Sequence, residues 1–455
     1  MRLQCRFAPL FLLAAGLVAQ APGIEGSWEG ALQTPGGNLR IRIHIARGTD
    51  GALSARMDSP DQGATGIPVS TISLTAGDLK WNLKMANASY AGNLNADATE
   101  ISGKFTQGTE IPLTFKRMSK DDIRPPSRPQ EPKPPFPYKS LDVTFASKAA
   151  GVMLAGTLTL PDGKGPHPAV ALVTGSGPQD RDETLMGHRP FAVLADFLSR
   201  RGIAVLRYDD RGIGKSTGAF AKATTADFAD DAEGALNYLK TRPEIGARKV
   251  GFAGHSEGGI VVPIVAARRA DVAFLALLAA TAVSGADVIL EQNQALAKAA
   301  GFTEERLKAA RAKQMEYSAI YRQSKDDAEF ENRLIAYLGE AGKSQLPVSM
   351  SPWLRYFMLY DPAPTLEKVQ CPVIALNGEK DLQVLPGQNL PVLEAALKKG
   401  GNNDVTILRL PGLNHLFQTS KTGLPMEYGQ IEETMSPAML EPLAKWIRQH
   451  TGLEK

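Results

Sequence analysis

Half of the fourteen residues from Arg124 to Pro137 are proline, and no other stretch limits the fold of this chain as sharply. Proline fixes φ and removes a backbone donor, so neither a helix nor a central strand can run through it. Residues 119–140 are therefore expected to form an extended, semi-rigid linker. The chain should fold as two bodies on either side of it. Its 455 residues agree, because about 150 residues per domain predicts two or three domains.

Hydrophobic periodicity changes across that boundary. In residues 24–118, Leu39, Ile41, Ile43 and Ile45 alternate with Arg40, Arg42 and His44, and Leu79, Trp81, Leu83 and Met85 alternate with Lys80, Asn82 and Lys84. A two-residue period with turn residues about every ten positions predicts an antiparallel β-domain with one wet face, either barrel or sandwich. Gly26-Ser27-Trp28 resembles the opening of lipocalin-like barrels, although Trp28 acting as a core plug accounts for it as well. His44 lies on the polar face beside two arginines and is expected to be solvated.

In residues 141–455 the apolar runs no longer alternate. PAVALV (168–173), IAVLRY (203–208), KVGFA (249–253), VAFLALLA (272–279), CPVIALN (371–377) and DVTILRL (404–410) are short and continuous, with helical patterns between them. Strands buried on both faces belong to a parallel sheet covered by helices, so an α/β, doubly wound architecture is predicted. Residues 283–362 show helical patterns without a strand. An insertion there would lie over the carboxyl edge of the sheet, where such folds bind ligands, and is read as a helical cap.

The amino terminus carries a different signal. Arg2 and Arg6 precede an apolar run from Phe7 to Ala19 that is too short to span a bilayer, and Ala19-Gln20-Ala21 has the small-residue pattern of a cleavage site. Residues 1–21 are read as a signal peptide, although Pro22 disfavours cleavage directly before it. Export to the periplasm or medium is expected, with no integral membrane span after the signal peptide. Cys5 would leave with the peptide. Cys371 would remain as the sole thiol, so no disulfide framework exists. Lys and Arg number 51 against 48 Asp and Glu. This near balance leaves no basic field for sequence-independent nucleic-acid binding.

The chemistry points to a serine nucleophile. Gly254-His255-Ser256-Glu257-Gly258 fits G-x-S-x-G, with the strand KVGFA before it and the helix former GGIVVPIVAARR after it. Such a turn holds Ser256 in a strained backbone at a helix N-terminus, whose dipole favours developing negative charge. A serine hydroxyl needs a base, and six histidines are available. His44 belongs to the other domain, His255 flanks the serine on the wrong side, His167 precedes its strand, and His450 ends the last helix. His188 follows the PAVALV strand and could line a pocket. His415 follows DVTILRL at the carboxyl edge, where Ser256 sits, and is assigned as the base. Asp381, in NGEKDLQV at the same edge, is assigned as its acceptor over Glu379 and Asp404. The order Ser, Asp, His is that of the α/β-hydrolase arrangement. Two amides should form the oxyanion hole: that of Glu257 and one from Thr174-Gly175-Ser176-Gly177, assigned to Ser176 with Gly177 as the fallback.

Residues 141–455 resemble the α/β-hydrolase superfamily, and within it bacterial exported esterases grouped with serine aminopeptidase-like hydrolases. The matching stretches are VTGSGPQDRD, RYDDRGIGKS, GFAGHSEGG, CPVIALNGEKDLQV and LPGLNHLFQ. The resemblance implies carboxylester hydrolysis through an acyl-serine with no cofactor. It also fits an extra N-terminal β-domain, which exported members can carry. Thr174 departs from the histidine that many relatives have before the oxyanion glycine. Small, fairly apolar esters are the expected substrates, with Trp353, Phe357 and Tyr360 of the cap either shaping a pocket or packing the cap. An aminopeptidase or amidase is the alternative. It would need a carboxylate for the substrate amine, from Glu257, Asp180 or Asp182. A catalytically silent binding protein is the third reading, although such proteins usually lose a triad member. Gly212-Ile213-Gly214-Lys215-Ser216 suggests a phosphate loop, but the required earlier glycine is Asp209. With neither an H-E-x-x-H motif nor a Cys/His cluster, no metal is expected.

Overall fold

The computed structural model describes residues 23–34, 37–62, 64–119, 126–339, 342 and 345–454. The expected signal peptide lies outside the described residues. Nine strands between Gly26 and Arg117 form one antiparallel sheet. The first (Gly26–Thr34) and the last (Thr109–Arg117) pair at its centre, and the two edge strands (Ala64–Pro68 and Thr71–Thr75) follow one another in sequence. The two residues joining those edges bond to both sides. Val69 N donates to Ala55 O at 3.1 Å, and Ser70 N donates to Asn82 O at 2.8 Å. A sheet whose edges are joined by so short a link must curl round on itself. The result is barrel-like, not the two stacked sheets of a sandwich.

The inward positions of this sheet are those the alternation marks, except Met85, which is exposed because its strand ends at Leu83. Trp28, Ile43, Leu79, Trp81, Ile101 and Phe115 are all buried. Trp28 plugs the core. Its Nε1 donates to Ile24 O at 2.9 Å, and the Arg117 guanidinium lies 4.2 Å over its ring. His44 is not simply solvated. Its Nδ1 lies 2.7 Å from Ser27 Oγ and its Nε2 lies 2.8 Å from Asp58 Oδ2, so the ring links three adjacent strands.

The second unit is built on eight strands. They are β1 (Tyr138–Ala146), β2 (Met153–Pro161), β3 (His167–Val173), β4 (Ala204–Tyr208), β5 (Ile245–His255), β6 (Leu275–Leu278), β7 (Val373–Gly378) and β8 (Val405–Leu410), in the order β1-β2-β4-β3-β5-β6-β7-β8. The six strands from β3 onward are parallel. The first two are antiparallel additions. The run Val272–Ala279 yields only the four residues of β6, which ends at Leu278 because Ala279 turns into the left-handed region at φ 48.

Two apolar clusters cover the two faces. Helices α1 (Pro190–Ser199) and, at the carboxyl end, Pro437–His450 pack on one face. Helices α2 (Thr225–Thr241) and α3 (Gly258–Arg268), with Pro386–Lys399, pack on the other. Between β6 and β7 the chain adds α4 (Gly285–Ala299), α5 (Glu304–Gln323), α6 (Asp327–Leu338), the single turn α7 (Leu346–Ser349), α8 (Pro352–Leu359) and the turn α9 (Ala363–Leu366). This helical insertion has its own core of Tyr321, Phe330, Leu334, Phe357 and Met358, joined by Ile260 of α3.

The described part of the proline-rich stretch does not hang free of this unit. Arg128 donates to the carbonyls of Met186, Gly187, Gly429 and Ile431 at 2.8–3.2 Å. The Gln130 side chain accepts from Thr434 N at 2.6 Å and donates to Met435 O at 2.7 Å. Among the described residues no helix is long and apolar enough to cross a membrane.

Candidate active site

Backbone geometry singles out Ser256. It has φ 52, in the left-handed region that non-glycine residues avoid. From Val250 to Pro263 it is the one residue that is not buried. Its own amide donates to Leu278 O at 2.8 Å, which fixes the turn against β6. Close packing explains the glycines around it. A Cβ on Gly254 would lie 2.2 Å from Gly258 O, one on Gly258 would lie 2.3 Å from Val173 O, and one on Gly259 would lie 2.2 Å from the Ala280 Cβ. The hydroxyl is thereby presented at the start of α3, where the helix dipole stabilises negative charge.

Asp381 and His415 come together at the carboxyl ends of β7 and β8. Asp381 is 1% exposed. Its Oδ1 accepts from the amides of Gln383 and Val384 at 2.8 and 2.9 Å, and its Oδ2 lies 2.8 Å from His415 Nδ1. A carboxylate held this way keeps the His415 proton on Nδ1 and leaves Nε2 as the acceptor. The His415 loop is shaped by buried Asn414, whose Oδ1 accepts from the amides of Leu416 and Gln418 at 3.0 and 2.9 Å. Gly378, at the end of β7, lets this loop approach, since a Cβ there would lie 2.3 Å from Leu413 O.

Among the described residues Ser256 Oγ makes no hydrogen bond to His415. The link between them runs through His255. Its ring centroid lies 4.8 Å from that of His415, and its Nε2 lies 3.1 Å from His415 O. Links of this kind are often long without substrate and tighten when it binds.

The loop after β3 faces the same turn. A Cβ on Gly175 would lie 3.2 Å from the Ser256 Cβ. The Gly175 amide donates to Glu183 Oε1 at 2.7 Å, and Thr174 Oγ1 donates to Asp210 Oδ1 at 2.9 Å. Burial pushes the Asp210 carboxyl up to about 8. Among the described residues neither the Ser176 amide nor the Glu257 amide has a protein acceptor.

The side chain of Glu257 turns inward. It is 2% exposed and accepts from Thr225 Oγ1 at 2.7 Å and from Trp353 Nε1 at 2.8 and 2.9 Å. Burial pushes its carboxyl above the ordinary range, against the pull of Thr225, Trp353 and Ser176. The other two carboxylates considered for an amine are also committed. Asp182 is ion-paired with Arg189 and Arg207, and Asp180 accepts from the amides of Asp182 and Thr184 at 3.0 Å.

Other readings change against this geometry. His188 lines no open pocket. It is fully buried, with Nδ1 2.9 Å from Thr434 Oγ1 and Nε2 2.9 Å from Tyr428 O, and burial lowers it to about 4. Glu379 is exposed, and Asp404 lies 3.2 Å from His450. Phe357 packs in the core of the helical insertion, and the Tyr360 hydroxyl lies 2.5 Å from Thr365 Oγ1. Trp353 alone of the three reaches the turn around Ser256.

Gly212–Ser216 is a structural turn after β4, with Ser216 Oγ donating to Asp209 O at 2.8 Å. Asp209 in turn accepts Arg181 Nε at 3.0 Å and Nη2 at 2.7 Å. The two stretches VTGSGPQDRD and RYDDRGIGKS therefore interlock. Glu183 follows the VTGSGPQDRD stretch directly and carries no sequence signal of its own, and His255, excluded as the base by its position beside Ser256, is placed here against Glu183 and His415.

A family model described as serine aminopeptidase, S33, matches residues 188–420, just over half of the chain. This chain is an S33-type α/β hydrolase. Along 373 residues, 79% of each protein, the S33-type chain is 28% identical to Esterase EstD of Thermotoga maritima. Solved structures resemble it more distantly. An α/β hydrolase, GrgF, from Penicillium aligns with 69% of this chain and 99% of its own at 18% identity and TM-score 0.45. An esterase of Pyrococcus furiosus aligns with 69% of this chain and 94% of its own at 14% identity and TM-score 0.42. The S33-type family and the mixed sheet agree on a hydrolase of the α/β-hydrolase fold, preceded here by an antiparallel β-domain.

Proposed function

We propose that the chain is an exported serine carboxylesterase for small, fairly apolar esters. One observation carries the reading. A buried Asp381–His415 pair leaves Nε2 as an acceptor, at the same carboxyl ends of the strands as a strained serine that is not buried. In the reaction Ser256 Oγ bonds to the ester carbonyl carbon while its proton passes to His415 Nε2. The tetrahedral oxyanion takes the amides of Glu257 and Ser176, with Gly177 as the alternative donor. His415 then protonates the departing alcohol, leaving an acyl-serine. Water, deprotonated by His415, attacks the acyl carbon and releases the acid and the serine. Asp381 orients the ring and stabilises its charged form. The likeness to Esterase EstD supports an ester substrate.

The family description also names an aminopeptidase, and the same groups cleave amides. Glu257, Asp180 and Asp182 are each already bonded within the protein, which favours the ester over a substrate with a free amine. Turnover of p-nitrophenyl acetate and longer acyl esters should exceed that of aminoacyl anilides, and faster anilide cleavage would reverse the assignment. Export rests on the basic and apolar amino terminus. Sequencing the mature protein from the periplasm or medium should find residues 1–21 removed.

A further inference from the structure

Three loops of the site meet at a buried ion pair that the reaction above does not use. Glu183 is 4% exposed and, like Ser256, is a non-glycine residue in the left-handed region, at φ 52. Its Oε1 takes the Gly175 amide at 2.7 Å and lies 2.9 Å from His255 Nδ1. The other His255 nitrogen, Nε2, lies 3.1 Å from the carbonyl oxygen of His415. One ring nitrogen thus faces a carboxyl group and the other a carbonyl. Burial opposes charge on the ring, but the Glu183 carboxylate outweighs it and raises the ring above the ordinary histidine value. The chain of contacts runs without a gap from the oxyanion loop at Gly175, through Glu183 and the residue before Ser256, to the backbone of His415.

We propose that the Glu183–His255 pair is a positioning unit that holds the His415 loop and the oxyanion loop in register with Ser256; it rests on the serine-hydrolase reading above. Neither residue touches the reacting atoms. A buried ion pair is by itself a poor source of stability, because desolvation offsets its attraction. Here its outer bonds go instead to the backbones of two site loops. Glu183 Oε2 has no partner, so the carboxylate is aimed through one oxygen.

The charged and titratable groups facing His415 are Asp381, His255 and the phenol of Tyr428. Those facing His255 are Glu183, Asp381 and His415.

The test uses the full chain with Glu183→Gln, His255→Gln, Glu183→Asp and Ser256→Ala, with active sites counted by fluorophosphonate titration and folding checked by melting. Glu183→Gln and His255→Gln should each lower kcat by about 10- to 100-fold, as loss of alignment does, with KM nearly unchanged. Glu183→Asp, which keeps the carboxylate, should retain more of kcat than Glu183→Gln. A folded Glu183→Gln or His255→Gln with wild-type kcat overturns the proposal. If one of the two fails to fold, the other decides. Activity surviving in Ser256→Ala would instead refute the underlying nucleophile assignment, whatever Glu183 does.

Discussion

Among the described residues, two groupings of serine, histidine and aspartate stand out, one on each unit. On the β-domain, Ser27, His44 and Asp58 make an unbroken chain at 2.7 and 2.8 Å. At the hydrolase site only the His415–Asp381 link is closed, at 2.8 Å. Hydrogen bonds alone would pick the β-domain set. The rest of the chemistry picks the other. Ser27 lies in a regular strand, whereas Ser256 has φ 52 at a helix N-terminus. Asp381 is buried and held by two amides, whereas the Asp58 and His44 side chains are 20% and 32% exposed. The His44 ring is also reversed, with Nε2 and not Nδ1 toward the carboxylate. A nucleophile is made by strain, dipole and free oxyanion donors. A polar relay on a wet sheet face needs none of these and serves as a lateral staple.

The sharpest way to break this contrast is to remove each serine in turn. Ser256→Ala should lower kcat by on the order of 10⁴ to 10⁶, while Ser27→Ala stays within about twofold of wild type, a change worth only a few tenths of a kcal/mol of barrier. Comparable losses from both would make the β-domain relay part of the chemistry. Removing the acids should repeat the pattern at smaller size. Asp381→Asn should cost on the order of 10⁴ in kcat through the wrong imidazole tautomer, and Asp58→Asn should leave ester turnover unchanged in the same assay.

The third comparison is between histidines within the hydrolase unit. Burial holds His188 at about 4 against an ordinary 6.5. The unfolded chain therefore binds a proton between pH 6.5 and 4 that the folded chain refuses, and stability is lost as pH falls through that window. Urea titrations should show wild type losing up to about 3 kcal/mol more than His188→Gln between those pH values. Parallel curves would show that the ring is already charged in the fold. The smallest effect should come from the staple. His44→Ala should lower the stability of the β-domain by about 1 kcal/mol, a typical hydrogen-bond contribution, with kcat unaltered. A shift of kcat in that variant would count against the division of roles.

The parts of the fold that were legible in the sequence are those that periodicity controls. Alternation around Ile43 and Trp81 marks the inward face of the first sheet, and the unbroken runs mark β3 to β8. Strands β1 and β2 fall outside the pattern of continuous runs, because an antiparallel edge strand alternates: Leu141, Val143 and Phe145 with Asp142 and Thr144. Ser256, Asp381 and His415 could be placed because each follows a strand, and topology carries such loops to one sheet edge. The curl of the first sheet was not legible, since it depends on a two-residue link joining the two edges of a nine-stranded sheet. Nor were the roles of Glu183 and His255, or of His44, because each rests on a cross-chain contact that leaves no local pattern.

The bond from Trp353 to Glu257 has a consequence for which molecules fit. Helix α8 is moored by its indole to the residue that follows Ser256. A guest that levered the helix outward would strip a donor from a carboxyl group shut away from water, at roughly 1–3 kcal/mol. A guest that left α8 in place would escape that cost.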